Sequence, residues 1–96
     1  MATLPDRCEV VVVGGGVIGV SVAYHLAEAG IQDVVLLERK ELTSGTTWHA
    51  AGLVGQLRTS INMTKLARYT SELYRGLEAE TGQATGYRQC GSISIA

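Results

Sequence analysis

Three glycines and one acid near the start of the chain have the spacing of a nucleotide site. Gly14, Gly16 and Gly19 form G-x-G-x-x-G within "VVVVGGGVIGV". The first allows a tight turn, the second lets backbone N–H groups approach a pyrophosphate, and the third lets a helix lie close to a strand. Glu38 follows nineteen positions after Gly19, where a carboxylate can accept hydrogen bonds from ribose hydroxyls. Arg39 and Lys40 stand beside it and would attract a 2′-phosphate, but Glu38 would repel that dianion. An unphosphorylated adenosine ribose fits better, and both NAD and FAD carry one.

A lone glycine motif is a weak signal, so the elements around it decide its meaning. "EVVVV", Glu9 to Val13, reads as a strand buried on both faces, as parallel strands are. Glycines end it. From Val17 the spacing of Ile18, Val22 and Leu26 is helical, with Gly30 at the position that closes a helix. "DVVLLE", Asp33 to Glu38, is a second apolar strand, and the intervening helix makes the pair parallel through a right-handed crossover. Residues 9–38 are therefore one βαβ unit, and the fold class is α/β with a Rossmann-like dinucleotide-binding start. Residues 39–58 read as a loop. Residues 62–81 form a further helix, with Leu66, Tyr69, Leu73 and Leu77 on one face, Arg68 paired to Glu72 and Gly82 as its stop. Residues 91–96, "GSISIA", alternate like the start of another strand.

The loop contains "SGTTWHAAGL", residues 44–53. Thr43, Ser44, Thr46 and Thr47 supply hydroxyls, while Gly45, Ala50, Ala51 and Gly52 leave room for a bulky planar ligand or for close packing near a pyrophosphate. An NAD domain has no evident need for this segment directly after the second strand. His49 is the odd residue in it. Taken alone, an imidazole there more often bonds a phosphate or a carbonyl than reacts.

The run from Val10 to Arg58, followed by "LYRGLEAETGQATGYRQCGSISIA", resembles the N-terminal part of the sarcosine and dimethylglycine dehydrogenases, flavoenzymes of the D-amino-acid-oxidase-like superfamily. The "SGTTWHAAGL" and "LEAETGQATGY" segments are the particular part of the likeness, since glycine fingerprints are shared by many proteins. The resemblance implies a two-domain flavoenzyme fold of which residues 1–96 are an N-terminal piece. It implies FAD as cofactor, attached covalently through the flavin 8α-methyl carbon to His49. Its cofactor-contacting set would be Gly14, Gly16, Val17, Ile18, Gly19, Glu38, Arg39, Ser44, Gly45, Thr46, Thr47, His49, Ala51 and Gly52. The implied reaction is hydride transfer from an N-methylated amine such as sarcosine or dimethylglycine to the flavin. Folate and an electron-acceptor protein would engage parts beyond residue 96, where the catalytic residues would also lie. A regulatory relative of these dehydrogenases has the same fold but a replaced Trp-His pair, so Trp48-His49 favours the enzyme over that non-catalytic alternative and over a plain NAD module.

The remaining residues ask for less. His25 lies in the first helix beside Tyr24 and reads as packing or surface, and Trp48 as packing beside the flavin. Arg58 fits a flavin, a substrate carboxylate or solvent equally well. Cys8 and Cys90 have neither the spacing nor the partners of a metal site, so no metal is expected and both read as reduced thiols. Eight Lys and Arg against nine Asp and Glu, spread without a basic run, give no footprint for nucleic acid. Val10 to Ala23 is broken by four glycines and a serine and is too short to span a bilayer. Met1 to Arg7 lacks the pattern of a signal peptide, which leaves bacterial cytoplasm or mitochondrial matrix as the expected compartment.

Overall fold

The structure, a computed structural model, describes residues 3–96; the first two positions of the Met1 to Arg7 segment lie outside the described residues. Two short β-branched runs form its sheet: β1, Val10–Val13, and β2, Val34–Leu37. They pair in parallel, Val10 opposite Val34 and Val13 opposite Leu37. Parallel neighbours cannot be joined by a hairpin, and α1, Val17–Glu28, makes the connection. The ladder is extended at both ends. Glu9 N–H donates to the Asp33 carbonyl at 3.2 Å and to its carboxylate at 3.0 Å, and Gly14 N–H donates to the Leu37 carbonyl at 2.8 Å.

The end of α1 is set by hydrogen bonding that only a left-handed residue permits. Gly30, at φ +94, donates to the Ala27 carbonyl, and Ile31 donates to that of Leu26, both at 3.0 Å. This Schellman pair satisfies carbonyls that the last helical turn leaves open. The helix packs on one face of the sheet, where Val12 is buried at 8% exposure. An atom added at Gly19 would lie 3.5 Å from Val12 Cγ1. Val11 and Val13 point the other way and are 51% and 82% exposed. The valine run was expected to be covered on both faces, as parallel sheets are; among the described residues one face is covered.

The chain divides into two compact units, the first ending at Ala51 and the second being Gly52–Ala96. In the second, α2 runs from Ile61 to Thr81. Ser60 caps it by accepting the Met63 N–H at 3.2 Å, and Gly82, at φ +74, closes it by donating to the Glu78 carbonyl at 2.8 Å. Arg68 and Glu72 meet at 3.2 Å on its exposed side, a pair worth about 0.3–0.5 kcal/mol.

Two expectations for this unit need correction. The covered face of α2 is only partly the one anticipated: Leu73 and Leu77 are half-buried as expected, together with Thr64, Ala67, Thr70, the buried Ser71 and Tyr74, while Leu66 and Tyr69 are exposed. The chain beyond the helix returns to this face, with Tyr87 stacked on Tyr74 at 5.7 Å and 17°. Residues 91–96 form no strand. Alternation gives a segment two faces, but a strand exists only where a neighbour completes its hydrogen bonds.

Candidate cofactor site

The first unit brings the glycine turn, the end of β2 and the loop after it to one place. Gly14 adopts φ +107, a conformation that side chains strongly disfavour, so the turn out of β1 requires glycine there. A Cβ at Gly19 would overlap the Gly14 carbonyl oxygen, so α1 lies against the turn at a distance only glycine permits. Both assignments follow the fingerprint. Gly16 is the N-cap of α1 and has no side chain to satisfy the helix's first N–H groups, and the first turn holds no acid. An α-helix leaves those N–H groups without intrahelical acceptors, which is the arrangement that receives phosphate.

One of those N–H groups is already taken. Val17 N–H donates to Thr47 Oγ1 at 2.9 Å, across thirty residues. A Cβ at Gly16 would stand 2.8 Å from the same oxygen, so the second glycine of the fingerprint is also what lets Thr47 approach. Thr47 belongs to a single 3-10 turn, Thr46–His49, which starts at Gly45 and is closed by Ala50 N–H donating to the Thr47 carbonyl at 3.2 Å.

Gly15, to which the motif assigns no role, is the hub of this region and is buried. Its N–H donates to Glu38 Oε1 at 3.1 Å, and its carbonyl accepts from Thr43 N–H at 2.9 Å. A Cβ there would sit 2.7 Å from Leu42 Cδ2 and 3.1 Å from both Glu38 Cβ and Cγ. Thr43 holds its bond at φ +63, a left-handed conformation that costs a β-branched residue about 1–3 kcal/mol. No sequence period connects residue 15 to residues 38, 42 and 43. The only sequence-level hint is a third glycine where the fingerprint asks for two.

Glu38 is half-buried and uses both oxygens. Oε1 accepts from Gly15, and Oε2 accepts from Lys40 N–H at 2.7 Å. The Lys40 bond, then the Gly15 bond, hold its carboxyl below the ordinary 4.5 against a weaker opposing effect of desolvation, and the charges of Arg39 and Lys40 add a smaller lowering. An ionised carboxylate has about four acceptor positions, so a ribose hydroxyl could still be received. Arg39, Ser44, Gly45, Thr46 and Ala51 are exposed around this cluster, and Ser44 N–H donates to the Glu41 carbonyl at 3.2 Å.

His49 ends the 3-10 turn on the surface. Its Nδ1 lies 3.0 Å from the Gly45 carbonyl oxygen. A carbonyl can only accept, so the neutral ring carries its proton on Nδ1 and its lone pair on Nε2. Trp48 is 69% exposed, its ring 5.1 Å from that of His49 and tilted by 59°. His25 is different: its Nδ1 is 2.7 Å from the Ser21 carbonyl inside α1, and its ring meets Tyr24 edge-on at 5.1 Å. Gly52, at φ +81, and Arg58 belong to the second unit, where the Arg58 guanidinium donates to the Leu57 carbonyl at 3.1 Å.

Comparison with known proteins fits this geometry. The chain is 56% identical over 91 residues to the mitochondrial dimethylglycine dehydrogenase of Rattus norvegicus, which covers 95% of this chain and 11% of that protein. It is 51% identical to the mitochondrial sarcosine dehydrogenase of Mus musculus, covering 97% of this chain and 10% of the relative. It is also 50% identical to the mitochondrial pyruvate dehydrogenase phosphatase regulatory subunit of Mus musculus, covering 97% and 11%. The chain thus spans about a tenth of the length of these relatives. Among solved structures, glycine oxidase from Bacillus cereus ATCC 14579 superposes with a TM-score of 0.63 at 36% identity, over 79% of this chain and 22% of that one. The match to the family described as DAO, FAD dependent oxidoreductase, extends over residues 9–96. The chain belongs to the FAD dependent oxidoreductase family, which sets aside the plain NAD-binding alternative.

Proposed function

We propose that the protein oxidises an N-methylated amine or amino acid, such as sarcosine or dimethylglycine, with FAD held covalently by His49. The observation that carries this reading is the placement of His49: an exposed imidazole with its lone pair on Nε2, on a turn hydrogen-bonded to the first residue of the helix that follows the glycine turn. The local structure suits FAD. Gly14 and Gly16 clear a path for a pyrophosphate, the first turn of α1 supplies N–H donors, and Glu38 stands fixed at the end of β2 for the adenosine ribose. Gly45 and Ala51 add little bulk where a flavin edge would reach His49. When bound, FAD supplies the acceptor for hydride from the amine C–H bond.

The residues of this chain bind and orient. Catalytic side chains, a folate site and an electron-acceptor partner belong in this reading to parts of the protein outside residues 1–96. The compartment would be mitochondrial matrix or bacterial cytoplasm, in keeping with the mitochondrial dehydrogenases above. Among the described residues no helix is long and apolar enough to cross a membrane.

The regulatory-subunit relative keeps a second reading in play, because a glycine turn alone does not separate an enzyme from a non-catalytic flavoprotein-like subunit. Anaerobic titration of the protein encoded by the complete reading frame distinguishes them. Sarcosine or dimethylglycine should bleach the flavin absorbance. A bound flavin that no N-methylated amine bleaches would refute the proposed reaction.

A further inference from the structure

We propose that Thr47 is a positioning residue for flavin attachment, acting through the hydrogen bond that its hydroxyl accepts from the first residue of α1. The inference rests on the covalent reading of His49 given above. The Thr46–His49 turn lies in an exposed loop, and most of its residues are themselves exposed. Thr47 is its one half-buried member, and its tie to Val17 N–H at 2.9 Å fixes the turn to the helix that receives the pyrophosphate. Two residues later stands His49, whose ring is oriented by the Gly45 carbonyl at 3.0 Å. Gly45 precedes the turn and His49 ends it, so the same short turn carries both the imidazole and the acceptor that orients it. Gly16 has no Cβ to push Thr47 away. A cofactor seated by its phosphates on α1 and a nucleophile anchored to α1 through Thr47 then share one frame. Such shared placement is what converts a chance encounter into a first-order reaction.

The attachment step balances as follows. A C–H bond of the flavin 8α-methyl group and the imidazole N–H are broken, and a bond forms between that carbon and His49 Nε2. Two electrons and two protons remain on the flavin, and dioxygen takes them up as hydrogen peroxide. Thr47 exchanges no atom in this step, so it governs how often Nε2 faces the carbon.

The test uses the protein from the complete reading frame, produced without flavin and then mixed with saturating FAD in air. The fraction of flavin that resists acid precipitation is followed with time. Saturation removes any effect on affinity. Thr47→Val, nearly isosteric but without the acceptor, should attach flavin about tenfold more slowly, the factor that goes with one net hydrogen bond. Thr47→Ala should do the same, and Thr47→Ser should stay within about threefold of the parent rate. Attachment by Thr47→Val and Thr47→Ala at the parent rate, or by Thr47→Ser as slowly as by Thr47→Val, overturns the proposal while leaving the role of His49 standing. A parent protein that releases all its flavin in acid overturns the covalent reading itself, and this inference with it.

Discussion

Replacing Gly19 by alanine should separate α1 from the glycine turn more severely than any neighbouring substitution. The added Cβ would overlap the Gly14 carbonyl oxygen and stand 3.0 Å from its carbon, whereas carbon-to-oxygen contacts ordinarily close at about 3.3–3.6 Å. Gly14 cannot step aside. Its N–H is bonded to Leu37 at 2.8 Å and its φ is +107, so the helix must retreat by on the order of 1 Å and lose its packing on Val12. Overpacking of this kind costs about 1–3 kcal/mol, and a backbone obstacle with no rotamer to relieve it belongs at about 3. Gly16→Ala meets only Thr47 Oγ1, at 2.8 Å, which can rotate away at the cost of one hydrogen bond, about 0.5–1.5 kcal/mol. Gly76→Ala, in α2 with nothing within 4 Å, should stabilise by up to about 1 kcal/mol. Thermal melts of the apoprotein, with hydrogen exchange of the α1 amides to localise the change, give the order. A loss below about 1 kcal/mol for Gly19→Ala, or one smaller than for Gly16→Ala, would refute the reasoning.

Two further outcomes follow from the same contacts. Because the Glu38 carboxyl is held below 4.5 by backbone N–H donors, the tie it makes is complete above that pH and is lost as pH falls through the lowered value. The stability gap between the parent and Glu38→Gln should therefore shrink as pH falls below 4.5, and a gap that stays constant as the pH is lowered would contradict the assignment. Residues 1–96 expressed alone should aggregate or bind FAD poorly, since Val11, Val13 and Leu37 present apolar surface on a two-stranded sheet and Ile18 does so on α1; light scattering that shows a monomer, together with a cooperative melt and FAD binding, would refute this.

The parts of the structure that were legible in the sequence are those that local chemistry dictates. Four valines before a glycine turn, a helical repeat and a second apolar run can hardly pair except as βαβ. Gly30 and Gly82 mark helix ends because the left-handed backbone there excludes most other residues. Gly82 closes α2 as its sequence position suggests, whereas the Ser60 cap went unread and the apolar spacing alone placed the helix start one residue late. Contacts between distant residues were not legible. Thr47 meets Val17, and Gly15 meets Glu38, Leu42 and Thr43, through hydrogen bonds and close approaches that leave no period in the sequence. Glu38 was read as a ribose acceptor, and nothing in its sequence position announced that its oxygens accept from the Gly15 and Lys40 N–H groups. The terminal alternation at 91–96 describes what a strand's faces would be, and a strand also needs a partner.

The account stands or falls most directly on acid precipitation of the protein encoded by the complete reading frame, followed by mass analysis of its peptides. The flavin should precipitate with the polypeptide, and the peptide containing Trp48-His49 should carry the added mass of FAD or its hydrolysed remnant, with fragmentation placing the adduct on His49. His49→Ala should still bind flavin, but release it into the acid supernatant. Complete release of flavin by the parent protein, or an adduct that maps to His25 or Cys90, would contradict the account.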